Sequence, residues 1–73
     1  MRERIALDTV TDIANFVLAA SKVKAPVYVK NSDNSLCVSG KSFLGLTYSA
    51  EFDELWVVCE GDHYQLFAPF MVD

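Results

Sequence analysis

LWVVCE, residues 55–60, predicts the clearest β-strand in this chain. Aromatic and β-branched residues fit a pleated, half-buried surface, and this run contains a tryptophan and two valines. Gly61 follows the run and ends it. Before the run, residues 42–46 are apolar and compatible with a short helix. After it, the sequence predicts a last helix that Asp62 caps and Pro69 limits, because proline lacks a backbone donor.

The amino-terminal part of the chain predicts a first strand and a long helix. Residues 4–7 predict the strand, with alternate residues on one side. Thr9 and Asp12 have the spacing of a capping box, in which each side chain binds the backbone N–H of the other residue. Residues 10–21 then predict an amphipathic helix, because the apolar residues recur at three and four positions: Ile13, Phe16, Val17 and Ala20.

The middle of the chain predicts a β-hairpin. Residues 25–30 contain a Val-Tyr-Val run and predict a second strand, and residues 36–39 predict a third. Residues 31–34 are Asn, Ser, Asp and Asn, which favour turns because their side chains bind nearby backbone groups. The predicted order of elements is therefore β-α-β-β-α-β-α, an α+β fold.

Length and composition predict one small soluble domain over residues 1–73. Seventy-three residues lie near the lower limit at which a hydrophobic core alone stabilises a fold, and 52% of them are hydrophobic. The first residues lack the apolar run of a signal peptide, and no stretch reaches the roughly 18–20 apolar residues that span a bilayer. We therefore predict a cytoplasmic protein that has no membrane partner.

The charged residues divide the chain into a basic and an acidic part. All six lysines and arginines lie at or before Lys41, where four acids accompany them and the net charge is +2. The remainder holds six acids and no base, which gives a net charge of −6. An acidic part repels phosphate backbones and attracts cationic partners, so nucleic acid is not an expected partner. The alternative interpretation is a solvated face that keeps a small domain in solution.

Three features resemble catalytic or metal sites but do not meet the requirements of those sites. Residues 40–42 (GKS) resemble the end of a phosphate-binding P-loop, but position 35 holds serine where that motif needs glycine. Cys37 and Cys59 lack the further soft ligands of a metal site, so we predict two free cysteines. His63 has no identifiable nucleophile partner, so a surface position is favoured. We predict no enzyme activity, no cofactor and no metal site.

Residues 39–46 (SGKSFLGL), followed by the strand at 55–60, resemble HPr, the small phosphocarrier of the bacterial sugar phosphotransferase system. Residues 41–46 are similar to the Lys-Ser-apolar-apolar-Gly-apolar segment of that family. Residues 13–17 are similar to its first helix, and residues 60–62 to its turn into the last helix. The resemblance covers nearly the whole chain and is specific at residues 41–46. It implies an open-faced β-sandwich, in which a four-stranded antiparallel sheet of order 1-4-2-3 carries helices on one face.

The sequence departs from the family at the phosphoacceptor. HPr carries its phosphoryl group on a histidine just before the first helix, in a Gly-x-His-x-Arg-Pro pattern. Alignment on the helix places Thr9 at the histidine position, Thr11 at the arginine and Asp12 at the proline. Threonine does not form the labile phosphoramidate that passes phosphate on, and Asp12 repels an incoming phosphoryl group. The resemblance therefore implies an HPr-like protein without histidine phosphocarrier activity. A carrier that uses an atypical residue, with His63 as the nitrogen candidate, is the alternative.

Ser42 matches a second site of the family. In HPr of many bacteria a dedicated kinase phosphorylates the matching serine and controls carbon regulation. A phosphate there meets free N–H groups at the start of a helix and adds roughly −1.5 to −2 charges. Beside it, Phe43, Leu44 and Leu46 resemble the family's apolar docking patch. The alternative is that Ser42 only caps the short helix.

The strand order that the resemblance implies predicts an apolar row on the open face of the sheet. If residues 55, 57 and 59 face the helices, the strand period of two places their neighbours, together with Arg4 and Lys30, on the open face. Docking of a partner protein or a second copy is one interpretation, and half-exposed aromatics on a solvated sheet are the other. The strand order also separates the two cysteines by about 10 Å, which is too far for a disulfide. The apolar row consists of Ala6, Trp56, Val58, Tyr28 and Cys37.

Together these features favour a non-catalytic HPr-like regulatory or adaptor protein that contacts partners around residues 42–46. The resemblance implies protein partners, either components of the phosphotransferase system or transcriptional regulators. Two alternatives belong to other classes: a phosphocarrier with an atypical acceptor, and a structural or oligomerising protein that forms a homodimer through the open face.

Overall fold

The computed structural model describes residues 1–49, 51–52 and 54–72 and contains four strands and three α-helices in that part of the chain. A turn of 3-10 helix, Ala68–Phe70, follows the last α-helix directly. The predicted order β-α-β-β-α-β-α is confirmed. The elements are β1 (Arg2–Ile5), α1 (Val10–Ser21), β2 (Val27–Lys30), β3 (Cys37–Ser39), α2 (Phe43–Ser49), β4 (Leu55–Cys59) and α3 (Tyr64–Phe67).

The four strands form one antiparallel sheet in the order β1-β4-β2-β3. This order confirms the predicted fold class. β4 lies inside the sheet, so that Trp56 pairs with Arg4 on one side and with Lys30 on the other. Val58 pairs in the same way with Arg2 and with Tyr28. The register therefore places an arginine or a lysine beside every outward-facing position of the central strand.

The first strand begins and ends two residues earlier than the sequence predicts. β1 covers Arg2–Ile5 rather than residues 4–7. After Ile5 the chain leaves β4, and the amide of Ala6 donates instead to the carbonyl of Phe70 at 2.8 Å. Both Ile5 and Leu7 are buried, as predicted from their spacing. A strand ends where its neighbouring strand stops pairing with it. The alternation of apolar residues does not indicate that point.

α1 carries the capping box that its sequence predicts. Thr9 Oγ1 accepts a hydrogen bond from the amide of Asp12 at 3.1 Å. The carboxylate of Asp12 in turn accepts from the amide of Thr9 at 3.3 Å and from that of Asp8 at 3.1 Å. The helix then covers Val10–Ser21, with its predicted stripe facing the sheet: Ile13, Phe16 and Ala20 are buried and Val17 is half-buried.

α2 is longer than predicted. It extends over Phe43–Ser49, whereas the sequence predicted a helix over residues 42–46. The side chain of Ser49 is fully buried and donates to the carbonyl of Leu46 at 2.8 Å. Because this hydrogen bond satisfies the hydroxyl, a polar residue can occupy the buried side of the helix. The second half of α2 therefore has no apolar residue at the buried position, and the sequence pattern does not indicate that the helix continues.

The core is a single hydrophobic cluster between the sheet and the helices. Phe16 lies at its centre, with its ring centroid 5.1 Å from that of Phe67 and 5.3 Å from that of Phe70. Gly40, at the end of β3, approaches this cluster so closely that a Cβ atom would lie 2.7 Å from Cγ1 of Val27. The close approach explains why a glycine follows β3.

The hairpin between β2 and β3 is held by Asn31, which is buried. Its Oδ1 accepts from the buried amide of Leu36 at 3.0 Å, and its Nδ2 donates to Ser35 Oγ at 2.7 Å. Asn34 takes a left-handed backbone conformation with φ of 62°, which asparagine tolerates better than most residues. The predicted turn at residues 31–34 is therefore present.

The last helix starts later than predicted. Asp62 was expected to be its cap, but α3 covers Tyr64–Phe67 and its N-cap position is His63, which makes no side-chain capping bond. Asp62 Oδ1 accepts instead from the amide of Tyr64 at 3.1 Å. In the described residues, none of the helices combines the length and apolar character needed to cross a membrane.

Candidate interaction surfaces

Thr9, the residue aligned with the family's histidine, is engaged in local structure at the start of α1. Its hydroxyl accepts from the amide of Asp12, and the carboxylate of Asp12 accepts from two amides of the same turn. A carboxylate at this helix terminus interacts favourably with the positive end of the helix dipole. A negative charge therefore lies against the backbone amides of Asp8 and Thr9 at the start of α1.

Ser42 caps α2. Its Oγ accepts from the amide of Gly45 at 3.2 Å, and its carbonyl accepts from the amide of Leu46 at 3.0 Å. The side chain is half-buried. The preceding Lys41 extends its ammonium group to the carbonyl of Val23 at 2.6 Å, where α1 ends. The capping role of Ser42 is thus confirmed, and its phosphorylation stays a prediction.

Only part of the predicted docking patch is on the surface. Leu44 is 81% exposed and Phe43 is 40% exposed, but Leu46 is completely buried. The assignment of Leu46 to a docking surface was wrong, because Leu46 lies two positions after Leu44, on the opposite side of the helix, and shares the core-facing side with Ser49. Tyr48, which the sequence analysis missed, is 58% exposed and lies four residues after Leu44, on the same side of the helix. We call Phe43, Leu44 and Tyr48 the α2 patch.

The ring of Tyr48 also contacts Phe52 edge-on, with 5.9 Å between the ring centroids. This contact extends the apolar surface from the α2 patch into the connection that leads to β4. Sequence reasoning could have found Tyr48 from its spacing to Leu44 only if α2 had been predicted to continue through residue 49.

His63 lies half-buried at the N-cap of α3. A Cβ atom at Gly61 would lie 3.3 Å from Nε2 of His63, so the imidazole folds against the preceding turn. The surface around it is a shallow depression formed by residues 62–66. Among the described residues, no three side chains of histidine, cysteine, aspartate or glutamate are grouped as metal ligands.

The open face of the sheet has the residues predicted for it except Ala6, which lies beyond the end of β1, and its character differs from the prediction. Leu55, Val57 and Cys59 are buried against the helices, while Trp56 and Val58 are half-buried on the other side. The strand register places Tyr28, Lys30 and Cys37 beside them. Ala6 follows the end of β1 and is half-buried there. We use the term open face for Arg2, Arg4, Tyr28, Lys30, Cys37, Trp56 and Val58.

Positive charge surrounds the aromatic residues of the open face. The guanidinium of Arg2 lies over the ring of Trp56, 4.9 Å from its centroid, and the ammonium of Lys30 lies 5.9 Å from the centroid of Tyr28. The prediction of an apolar row is therefore corrected to one of alternating aromatic and cationic side chains. Arg2 was missed because the predicted first strand began at residue 4.

Acidic residues stand at both ends of β4. Glu54 precedes the strand and lies 3.9 Å from the guanidinium of Arg4, with both side chains somewhat less than half exposed. An exposed pair at this distance contributes about 0–1 kcal/mol and leaves the arginine free to bind other anions. Glu60 follows the strand and, with Pro26 and Tyr28, lines a shallow depression on this side of the sheet.

The two cysteines lie on opposite faces of the sheet. Cys37 is exposed and Cys59 is buried, and both are free thiols. Burial raises the pKa of the Cys59 thiol. The prediction of two free cysteines is thus confirmed, with β2 between their strands.

Comparison of the chain with protein-family models, with curated proteins and with solved structures gives no match.

Proposed function

We propose that this chain is a non-catalytic HPr-like protein that regulates or links partner proteins of the phosphoenolpyruvate-dependent sugar phosphotransferase system. The observation that carries the proposal is the α2 patch. Phe43 and Leu44 are exposed directly after Ser42, in a segment whose sequence resembles the docking segment of HPr. Two large apolar side chains in the first turn of a surface helix favour a protein contact.

The start of α1 supports the non-carrier part of the proposal. A carrier needs a nucleophile whose phosphoryl form is labile and an environment that accepts negative charge. Here the aligned residue is Thr9, whose hydroxyl is used in a cap, and Asp12 places a carboxylate on the neighbouring amides. Repulsion between this carboxylate and a phosphoryl group opposes transfer at the site.

The position of Ser42 suggests how contacts at the α2 patch are controlled. Phosphorylation would add about two negative charges immediately before Phe43 and Leu44. A partner surface that buries these side chains would then have to bury or neutralise the phosphate as well. A partner with arginines at the matching place would gain affinity, and one with an apolar or acidic surface would lose it.

Intact-mass analysis under two conditions tests the proposal. The protein is incubated with phosphoenolpyruvate and enzyme I, and separately with ATP and HPr kinase. We expect no acid-labile phosphate in the first reaction and one acid-stable phosphate in the second. Ser42→Ala should remove the label, whereas Ser39→Ala, which changes an exposed serine three residues earlier, should keep it.

A restored carrier provides the positive control. A variant with Thr9→His, Thr11→Arg and Asp12→Pro carries the family's residues at the start of α1. Acid-labile label on this variant, but not on the natural sequence, would show that enzyme I recognises the chain and that Thr9 prevents transfer. Acid-labile label on the natural sequence would overturn the proposal in favour of an atypical carrier. No label on any protein in either reaction would remove the link to the phosphotransferase system.

A further inference from the structure

The open face lies on the opposite side of the sheet from α2, so an inference about it does not depend on the proposed function. It presents two cationic columns, one with two arginines and one with a single lysine, and Trp56 lies between them. Arg2 and Arg4 lie on β1, Lys30 lies on β2, and Trp56 lies between them on β4. Three cations gathered around one indole are unusual in a chain whose net charge is −4.

The polar groups of this face are incompletely paired. The indole N–H of Trp56 is buried and has no acceptor among the described residues. The ion pair of Arg4 with Glu54, at 3.9 Å, is long and partly exposed to solvent. A buried donor without an acceptor is unfavourable, and a ligand oxygen that reached the indole N–H would satisfy it. Carboxylate oxygens suit both the indole N–H and the surrounding cations.

We propose that the open face binds an acidic, extended segment of a partner protein, with carboxylates on the two cationic columns and an apolar side chain near Trp56. The columns on β1 and β2 are separated by two strand spacings, or about 10 Å. An extended peptide in the polyproline II conformation has three residues per turn and advances about 3.1 Å per residue, so acids three positions apart lie on the same side and match the two columns. The segment crosses the strands rather than following them.

The charge at the ends of β4 favours a peptide over a nucleic acid. Glu54 and Glu60 close off the cationic area at either end of the strand. A nucleic acid carries a phosphate at every nucleotide, so a strand that covers the cationic area in any direction also brings phosphates near these carboxylates. A peptide can carry its acids only where the cations are and apolar or neutral residues elsewhere.

The same register disfavours a second copy of this chain centred on Trp56. A two-fold axis along β4 would place β1 of one copy over β2 of the other, so that Arg4 faces Lys30. An axis across the strands would place the arginines of β1 over one another. Both arrangements bring like charges together, which opposes a homodimer of this kind.

Trp56 is the only tryptophan in the chain, so its fluorescence reports directly on the open face. The probe is an eight-residue synthetic peptide with two glutamates three positions apart and leucine between them. Its control has glutamine in place of both glutamates. Binding is followed by Trp56 emission and by calorimetry. We expect saturable binding of the glutamate peptide, weakened by added salt, and no saturation with the glutamine peptide.

Variants locate the site. Arg4→Gln and Lys30→Gln should each weaken peptide binding about two- to five-fold, and the double variant about four- to 25-fold. Lys22→Gln removes the same charge in the groove between α1 and α3, on the helical side, and should leave the affinity unchanged. An equal effect of all three substitutions would overturn the proposal, because binding would then reflect net charge alone.

Two further measurements separate the other occupants. Binding of an eight-nucleotide oligothymidylate, with loss in the Arg4→Gln and Lys30→Gln variants and no peptide binding, would overturn the proposal in favour of nucleic acid. A dimer by sedimentation that Trp56→Ser dissociates would overturn it in favour of a second copy. Failure of the glutamate peptide to bind at millimolar concentration by either readout would also overturn it.

Discussion

Thr9 fixes the start of α1 through hydrogen bonds in both directions with Asp12. The hydroxyl of Thr9 accepts from the amide of Asp12, and the carboxylate of Asp12 accepts from the amide of Thr9. These bonds occupy backbone amides at the start of α1, some of which have no partner within the helix. The capping box therefore stabilises α1 and holds a carboxylate at its amino-terminal end.

We expect Thr9→Ala to lower the free energy of unfolding by about 1 kcal/mol, because the amide of Asp12 loses its acceptor. Urea denaturation measures the change. Thr11→Ala is the matched control, since it removes the same atoms from an exposed position in the same turn. The control should change stability by less than about 0.5 kcal/mol. Equal losses of unfolding free energy in the two variants would mean that the capping hydrogen bond of Thr9 does not stabilise α1.

At the scale of elements, the short helix α3 depends on one side chain for its place. Its four residues are too few to be stable alone, and its N-cap residue, His63, makes no side-chain capping bond. Phe67 is completely buried, with its ring against Phe16 of α1. Packing against α1, rather than helix propensity, therefore holds α3 in position.

We expect Phe67→Leu to lower the free energy of unfolding by about 1–2 kcal/mol, because it leaves a void beside Phe16 and removes an aromatic contact. Tyr64→Leu makes a comparable change on the exposed side of the same helix and should cost less than about 0.5 kcal/mol. Urea denaturation of both variants compares them. A larger loss for Tyr64→Leu would show that the exposed side, not the core contact, holds α3.

At the scale of the whole molecule, the sheet divides the chain into two chemical environments. One face is buried under the helices and carries Cys59, and the other carries Cys37 among charged residues. Because burial raises the pKa of the Cys59 thiol, the folded protein holds it neutral. In the unfolded chain this thiol loses its proton at a lower pH than in the folded protein. The free energy of unfolding therefore falls as the pH rises above about 8.5, the ordinary pKa of a thiol.

We expect iodoacetamide at about pH 8 to modify one thiol per molecule quickly and the second only in denaturant, because the thiolate is the reactive form. Intact mass against time measures both steps. Cys37→Ser should remove the fast step and leave the slow one. Two fast steps in the natural sequence would contradict the burial of Cys59 and the assignment of the two faces.

Local sequence signals determined most of the elements. The spacing of Thr9 and Asp12 predicted the start of α1, and the alternation in residues 55–60 predicted which side chains of β4 are buried. These signals are reliable because they depend on contacts between residues at most four positions apart, or on the fixed period of a strand. The strand order came from a resemblance rather than from spacing, and the structure agrees with it.

Tertiary structure alone decided what the two candidate surfaces consist of. Leu44 and Leu46 are alike in the sequence, but one is on the surface and the other in the core, because α2 packs through a face that reaches the buried Ser49. Arg2 joins the open face only because β1 begins early enough to pair it with Val58. Both outcomes depend on contacts between residues far apart in the chain. Such contacts produce no periodic pattern in the sequence, so the composition of the two surfaces could not be derived from the sequence.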